Sequence, residues 1–108
     1  MADDAETAYF ALLRARDAVA DLRRWEEYLA DEARRLRRFE SEGAAHAQEA
    51  PARLRRRMIH TDAPINDAIR LRLEVIAEEQ RRLPERIEDA EAYVAECETL
   101  HQRARDRA

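Results

Sequence analysis

Three residues near the end of the sequence are spaced so that they could act together chemically. Glu98 lies three residues before His101 and Cys97 lies four before it, so a helix would place all three on one face. A Cys–His nucleophile also needs an orienting group and a pocket, and the sequence has no motif that would supply either. We therefore interpret Cys97 as a small core residue.

The Glu98-x-x-His101 pair also resembles half of the metal-binding motif of ferritin-like helical bundles. Such bundles combine the pair with carboxylates from facing helices, and Glu26 is the residue of the first helix that could provide one. The resemblance covers this short motif only, and the second carboxylate group of such a site is missing. A ferritin-like half-bundle that binds metal is therefore an alternative, while the residues themselves predict no metal site and no cofactor.

Other enzyme motifs are missing from the sequence. His46, His60 and His101 are scattered without the spacing of metal ligands. The chain has neither a Gly-rich phosphate loop nor a nucleophile elbow. We therefore predict a protein that is not an enzyme and has no catalytic residues.

Arginine supplies all 20 basic residues of the chain, a bias typical of GC-rich bacterial genomes. The net charge is −4, but residues 1–33 carry −5, residues 34–72 carry +5 and residues 73–108 carry −4. The basic centre defines a predicted basic patch of eight residues: Arg34, Arg35, Arg37, Arg38, Arg53, Arg55, Arg56 and Arg57.

Three interpretations of the basic patch are open. It could bind the phosphate groups of nucleic acid or of another anionic surface. It could dock onto an acidic helical protein, including the acidic end of a second copy. It could also be a solvated surface that nearby carboxylates balance.

Two long helices are the elements that must carry these residues. Leucines recur every seven residues over about residues 4–42, and branched apolar residues do the same over about residues 63–105, the pattern of a coiled coil. These positions define the predicted seam: Leu22, Leu29, Leu36, Ile69, Ile76, Leu83, Ile87 and Val94.

The predicted connection between the long helices contains a short helix. Gly43, the only glycine, is expected to end the first helix. Pro51 suits the first position of a short helix over about residues 51–60. Thr61 or Asp62 would then cap the last helix, with Pro64 in its first turn.

Three residues interrupt the seam. Pro84 lies inside the last helix, where it removes a backbone hydrogen bond, so we predict a kink there. Glu26 and Gln80 are polar residues at otherwise apolar positions. They could select the register and the partner, or they could lie at the edge of the seam and reach solvent.

These patterns predict an all-α fold in one domain, residues 1–108: an antiparallel helical hairpin with a short middle helix. Two helices bury little surface per residue, so we expect oligomerisation to complete a helical bundle. No apolar run is long enough for a membrane span. The single Cys97 fits a reducing compartment, and we expect a cytoplasmic protein.

A Tyr28-x-x-x-Glu32 motif, the small size and the helix-bend-helix plan are similar to the secreted helical hairpins of type VII secretion. That family has a Trp-x-Gly motif at the bend and places its Tyr motif after the second helix. Here Trp25 and Gly43 are far apart, and the Tyr motif lies in the first helix. These departures leave the chain without the motifs that define the family.

The sequence therefore predicts a non-enzymatic interaction or adaptor protein. Its partner would be a second copy, as a homodimer, or a larger helical protein, and the seam would be the binding element. A nucleic-acid-associated regulator that uses the basic patch is the main alternative, and no membrane partner is expected.

Overall fold

Two helices contain every described residue except Ala50 and Pro51. The computed structural model describes residues 4–107, in which helix α1 spans Asp4–Glu49 and helix α2 spans Ala52–Arg107. This range contains no strand. The chain is therefore all-α, and the two helices form a hairpin, as predicted.

The hairpin divides into two compact units. The terminal unit consists of Met1–Glu27 and Arg82–Ala108, and the bend unit consists of Tyr28–Arg81. Each unit pairs a stretch of α1 with a stretch of α2. The described part of each unit has its own buried apolar side chains.

Cross-helix ion pairs in the terminal unit establish the antiparallel direction. An Nη atom of Arg16 lies 3.7 Å from Oε1 of Glu98. One of Arg23 lies 2.7 Å from Oε1 of Glu91. Seven residues forward along α1 therefore correspond to seven residues backward along α2. These pairs flank a core in which Leu12, Ala15 and Cys97 are buried.

Heptad-spaced residues form the core of the bend unit. Leu29 and Ala33 of α1 and Ile69 and Ile76 of α2 are buried, with exposed fractions between 1% and 7%. Burial of one such leucine or isoleucine side chain contributes about 1.5–3 kcal/mol to the free energy of unfolding. This packing explains why weakly patterned neighbouring segments remain helical.

Gly43 does not end the first helix, so this prediction is wrong. Helix α1 continues to Glu49, and Gly43 does not have the positive φ of a helix-ending glycine. Ala44, Ala45 and Ala47 follow it, and alanine is the best helix former. Ala47 is buried, so packing also favours the extra turns.

The predicted short middle helix is wrong as well. Helix α2 begins at Ala52 and passes through Thr61, Asp62 and Pro64 without a break. Met58, Asp62, Asn66 and Ile69 are the least exposed residues of this stretch, at helical spacing, so one face continues across the predicted boundary. Pro64 is exposed, which leaves its ring room outside the core. The connection is therefore two residues and not about twenty.

Pro84 also lies within continuous α2. It is exposed, between the buried residues Leu83 and Ile87. The apolar spacing thus continues past the proline. The predicted kink and the predicted oligomerisation stay predictions.

Candidate interaction surface

The predicted seam lies in the interior of the chain. Leu29, Ile69, Ile76, Leu83 and Ile87 are buried, and the remaining three seam residues are half-buried: Leu22, Leu36 and Val94. These side chains are already covered by the opposite helix of the same chain. The seam is therefore the internal core, and its predicted role as the partner-binding element is replaced by intrachain packing.

The two polar residues of the seam differ in their surroundings. Gln80 is exposed, so it reaches solvent at the edge of the seam. Glu26 is half-buried, and its Oε1 lies 3.6 Å from an Nη atom of Arg23, three residues earlier on the same helix. The charge of Glu26 is thus balanced locally.

All eight arginines of the basic patch lie in the bend unit and are exposed. Arg34 forms an ion pair with Asp31 on its own helix. The positive charge of Arg35 helps to lower the pKa of Glu32. Within residues 4–107, no carboxylate lies within ion-pair distance of five other members of the patch: Arg37, Arg38, Arg53, Arg56 and Arg57.

Arg55 has a structural role that sequence reasoning missed. Its Nε donates a hydrogen bond to the carbonyl of Ala47 at 3.1 Å. Its Nη2 donates to the carbonyls of Gln48 and Ala50, both at 3.2 Å. The last carbonyls of a helix have no partner within it, so Arg55 caps α1 from the first turn of α2. Its position four residues after Pro51 was the available signal.

A second missed feature joins the two helices of the bend unit. Arg72 donates from Nε and Nη2 to the two carboxylate oxygens of Glu32, at 2.7 and 2.9 Å. These hydrogen bonds are the main reason why the pKa of Glu32 is lowered and that of Arg72 is raised, and a hydrogen bond from Tyr28 lowers the pKa of Glu32 further. The Tyr28-x-x-x-Glu32 spacing, one helical turn, was the visible sign.

A groove of about 530 Å³ lies in the bend unit. Phe39, Ile59 and Ile65 line it and are each about half exposed. Oε2 of Glu40 is buried there without a hydrogen-bond partner, and Nε of Arg70 lies 3.8 Å from it. The groove is therefore suited to a ligand that places an apolar side chain against its lining and a hydrogen-bond donor at the carboxylate of Glu40.

Cys97 is buried, in agreement with its interpretation as a core residue. Tyr93, one turn earlier on α2, forms a hydrogen bond with it. This bond and the negative charge of the thiolate form raise the pKa of Tyr93.

The Glu98-x-x-His101 pair is engaged in other contacts. Glu98 forms its ion pair with Arg16, and the ring of His101 lies 5.4 Å from that of Tyr9. Among residues 4–107, no group of three or more His, Cys, Asp or Glu side chains is arranged to hold a metal ion. The geometry thus gives the ferritin-like alternative no support.

Large apolar side chains remain exposed outside the seam. In the bend unit, Phe39 is 57% exposed, Ile59 56% and Leu71 64%. Single exposed apolar residues are normal on protein surfaces, whereas regular or clustered ones indicate contact sites. The exposed outer faces of the helices, and not the buried seam, are therefore the candidate partner surfaces.

No family model, curated protein or solved structure matches this chain. In the part of the chain that the structure describes, neither helix contains an apolar stretch that could cross a membrane.

Proposed function

We propose that this chain is a non-enzymatic helical interaction module that self-associates or binds a larger helical protein. The observation that carries the proposal is the exposure of Phe39, Leu54, Ile59, Leu71 and Val75 in one unit, each more than half exposed. The partner contact would then lie on the outside of the hairpin. A reducing compartment such as the bacterial cytoplasm fits the free thiol of Cys97.

Sedimentation of the purified chain over a range of concentrations tests this proposal. We expect a reversible increase in mass with concentration, because the free energy falls when a second helix covers apolar side chains at helical spacing. The proposal would be contradicted by a well-folded chain that stays monomeric at the highest attainable concentration and also binds no larger helical protein.

A nucleic-acid-associated regulator is the second candidate. It is favoured by the five exposed arginines of the basic patch that have no carboxylate within ion-pair distance among the described residues. Their guanidinium groups are free to contact phosphates, and such binding weakens steeply as salt rises.

The two candidates are distinguished by titration with duplex and single-stranded DNA and RNA at low and high salt. The informative variant replaces Arg53, Arg56 and Arg57 with Gln and keeps Arg55, whose loss would disturb the bend. The regulator requires binding at low salt that this variant loses, together with a flatter salt dependence. No binding of the wild type at low salt would exclude it.

A further inference from the structure

A second heptad-spaced series runs along the outer face of α2 in the bend unit. Its seven positions are separated alternately by three and four residues, the spacing of a coiled-coil contact. All seven side chains are exposed. We name this series the outer stripe: Leu54, Arg57, Thr61, Pro64, Ala68, Leu71 and Val75.

The outer stripe is apolar over most of its length. Leu54 is 51% exposed, Leu71 64% and Val75 52%. Pro64 and Ala68 between them are small, which permits close approach of a second helix. The buried residues Ile69 and Ile76 face the core from other positions of the helix, so the stripe is separate from the seam.

The residues that flank one side of the stripe change sign along the helix. Arg53 and His60 come first, and Asp67 and Glu74 follow, each seven residues after the last. All four are exposed, and none forms an ion pair with another residue of the described range. One half of this edge therefore carries an arginine and a histidine, and the other half carries two carboxylates.

Building on the proposed function, we infer that the outer stripe binds the same stripe of a second copy in antiparallel orientation. In an antiparallel pair, matching edges of the two helices face each other. Arg53 then lies opposite Glu74 of the second copy, and His60 lies opposite Asp67 of the second copy. Two-fold symmetry repeats each pair. In a parallel pair this edge would instead face the other edge of the stripe, where Met58 and Ile65 lie, so neither charge pair would form.

The same register also matches the apolar residues. It places Leu54 opposite Leu71 of the second copy and Met58 opposite Ile65 of the second copy. Arg57 lies opposite Ala68 of the second copy, where its aliphatic stem covers the small side chain.

One of the two neighbouring registers, shifted by one heptad, is disfavoured by repulsion. It would bring Asp67 against the second copy of itself and Arg53 against Arg81 of the second copy, and like charges in these positions repel. A shift by one heptad in the other direction keeps only the attraction between Arg53 and Asp67 of the second copy. The proposed register therefore has the largest number of attractive pairs. The paired segment from Arg53 to Val75 is about 33 Å long, so we expect a dimer that dissociates on dilution.

Charge exchange tests the orientation and the register. In Arg53→Glu the flanking edge is acidic at both ends, and in Glu74→Arg it is basic at both ends. We expect each variant to dimerise about tenfold or more weakly than the wild type, because two exposed pairs per dimer change from attraction to repulsion. A mixture of the two variants, and the double variant R53E/E74R, should recover dimerisation.

Sedimentation at low and high salt measures these affinities, and circular dichroism checks that each variant is folded. Leu71→Glu should abolish dimerisation, whereas Leu100→Glu, with 56% of its side chain exposed in the terminal unit, should dimerise like the wild type. Failure of the mixture or of the double variant to recover would overturn the antiparallel register. If Leu71→Glu dimerised as strongly as the wild type, this surface would be refuted, but self-association as the function would not. A wild type that never dimerises would refute both this surface and self-association as the function.

Discussion

Replacement of Leu83 by alanine measures how much the internal seam contributes to stability. Leu83 is 1% exposed, so the substitution removes a fully buried side chain and leaves a cavity. Losses of about 2–5 kcal/mol are typical of such a change. For a domain of this size the midpoint of thermal unfolding should fall by roughly 10 °C or more. Urea unfolding followed by circular dichroism gives the free energy of unfolding directly.

Leu100→Ala is the matched control for this experiment. Leu100 lies on the same helix and in the same unit as Leu83, but it is 56% exposed. The same chemical change should therefore cost about 1 kcal/mol or less. Equal losses for the two variants would refute the assignment of the seam to the internal core, and a larger loss for Leu100→Ala would place the core on the opposite face of α2.

Three further outcomes are expected. Arg55→Met should lower the free energy of unfolding by about 1–2 kcal/mol, because the carbonyls at the bend lose the guanidinium donor. Arg56→Met removes the same charge at the neighbouring position and should leave stability nearly unchanged in the same urea titration. Because the pKa of Glu32 is lowered in the folded chain, its ion pair contributes stability above pH 4.5, the ordinary value for the carboxyl group, and this contribution is lost as pH falls through the lower folded value. The wild type should therefore lose more stability on acidification than Glu32→Gln. Parallel curves of stability against pH for the two proteins would contradict this. The raised pKa of Tyr93 should add a component to the ultraviolet titration above the ordinary range of tyrosine, and this late component should vanish in Tyr93→Phe.

The residues of the internal core could be predicted from the sequence. Every seam residue that the heptad pattern selected is buried or half-buried, because a seven-residue repeat keeps one face of a helix turned to its neighbour over many turns. Only the interpretation of that face as a partner-binding surface was wrong, because its side chains are buried within the chain. A seam predicts a contact, but it does not say whether the contact lies within one chain or between two.

Local signals near the bend were misleading for a different reason. Gly43 and Pro64 each disfavour a helix by about 1–3 kcal/mol, and both lie within one. The buried residues Ala47 and Ile69 on either side gain contacts when the helices continue. Tertiary packing therefore outweighs a single unfavourable residue, which short-range sequence rules cannot anticipate.

By itself, the sequence determined that the chain is helical, where its apolar face lies and how its charge is distributed, because periodicity and composition are properties of a linear pattern. The tertiary structure alone decided which helix covers the seam, that Arg55 caps α1 and that Glu32 binds Arg72. These features depend on which residues of α1 lie opposite which residues of α2. Because that register buries the seam inside the chain, the outer stripe is the surface that we propose for binding a second copy.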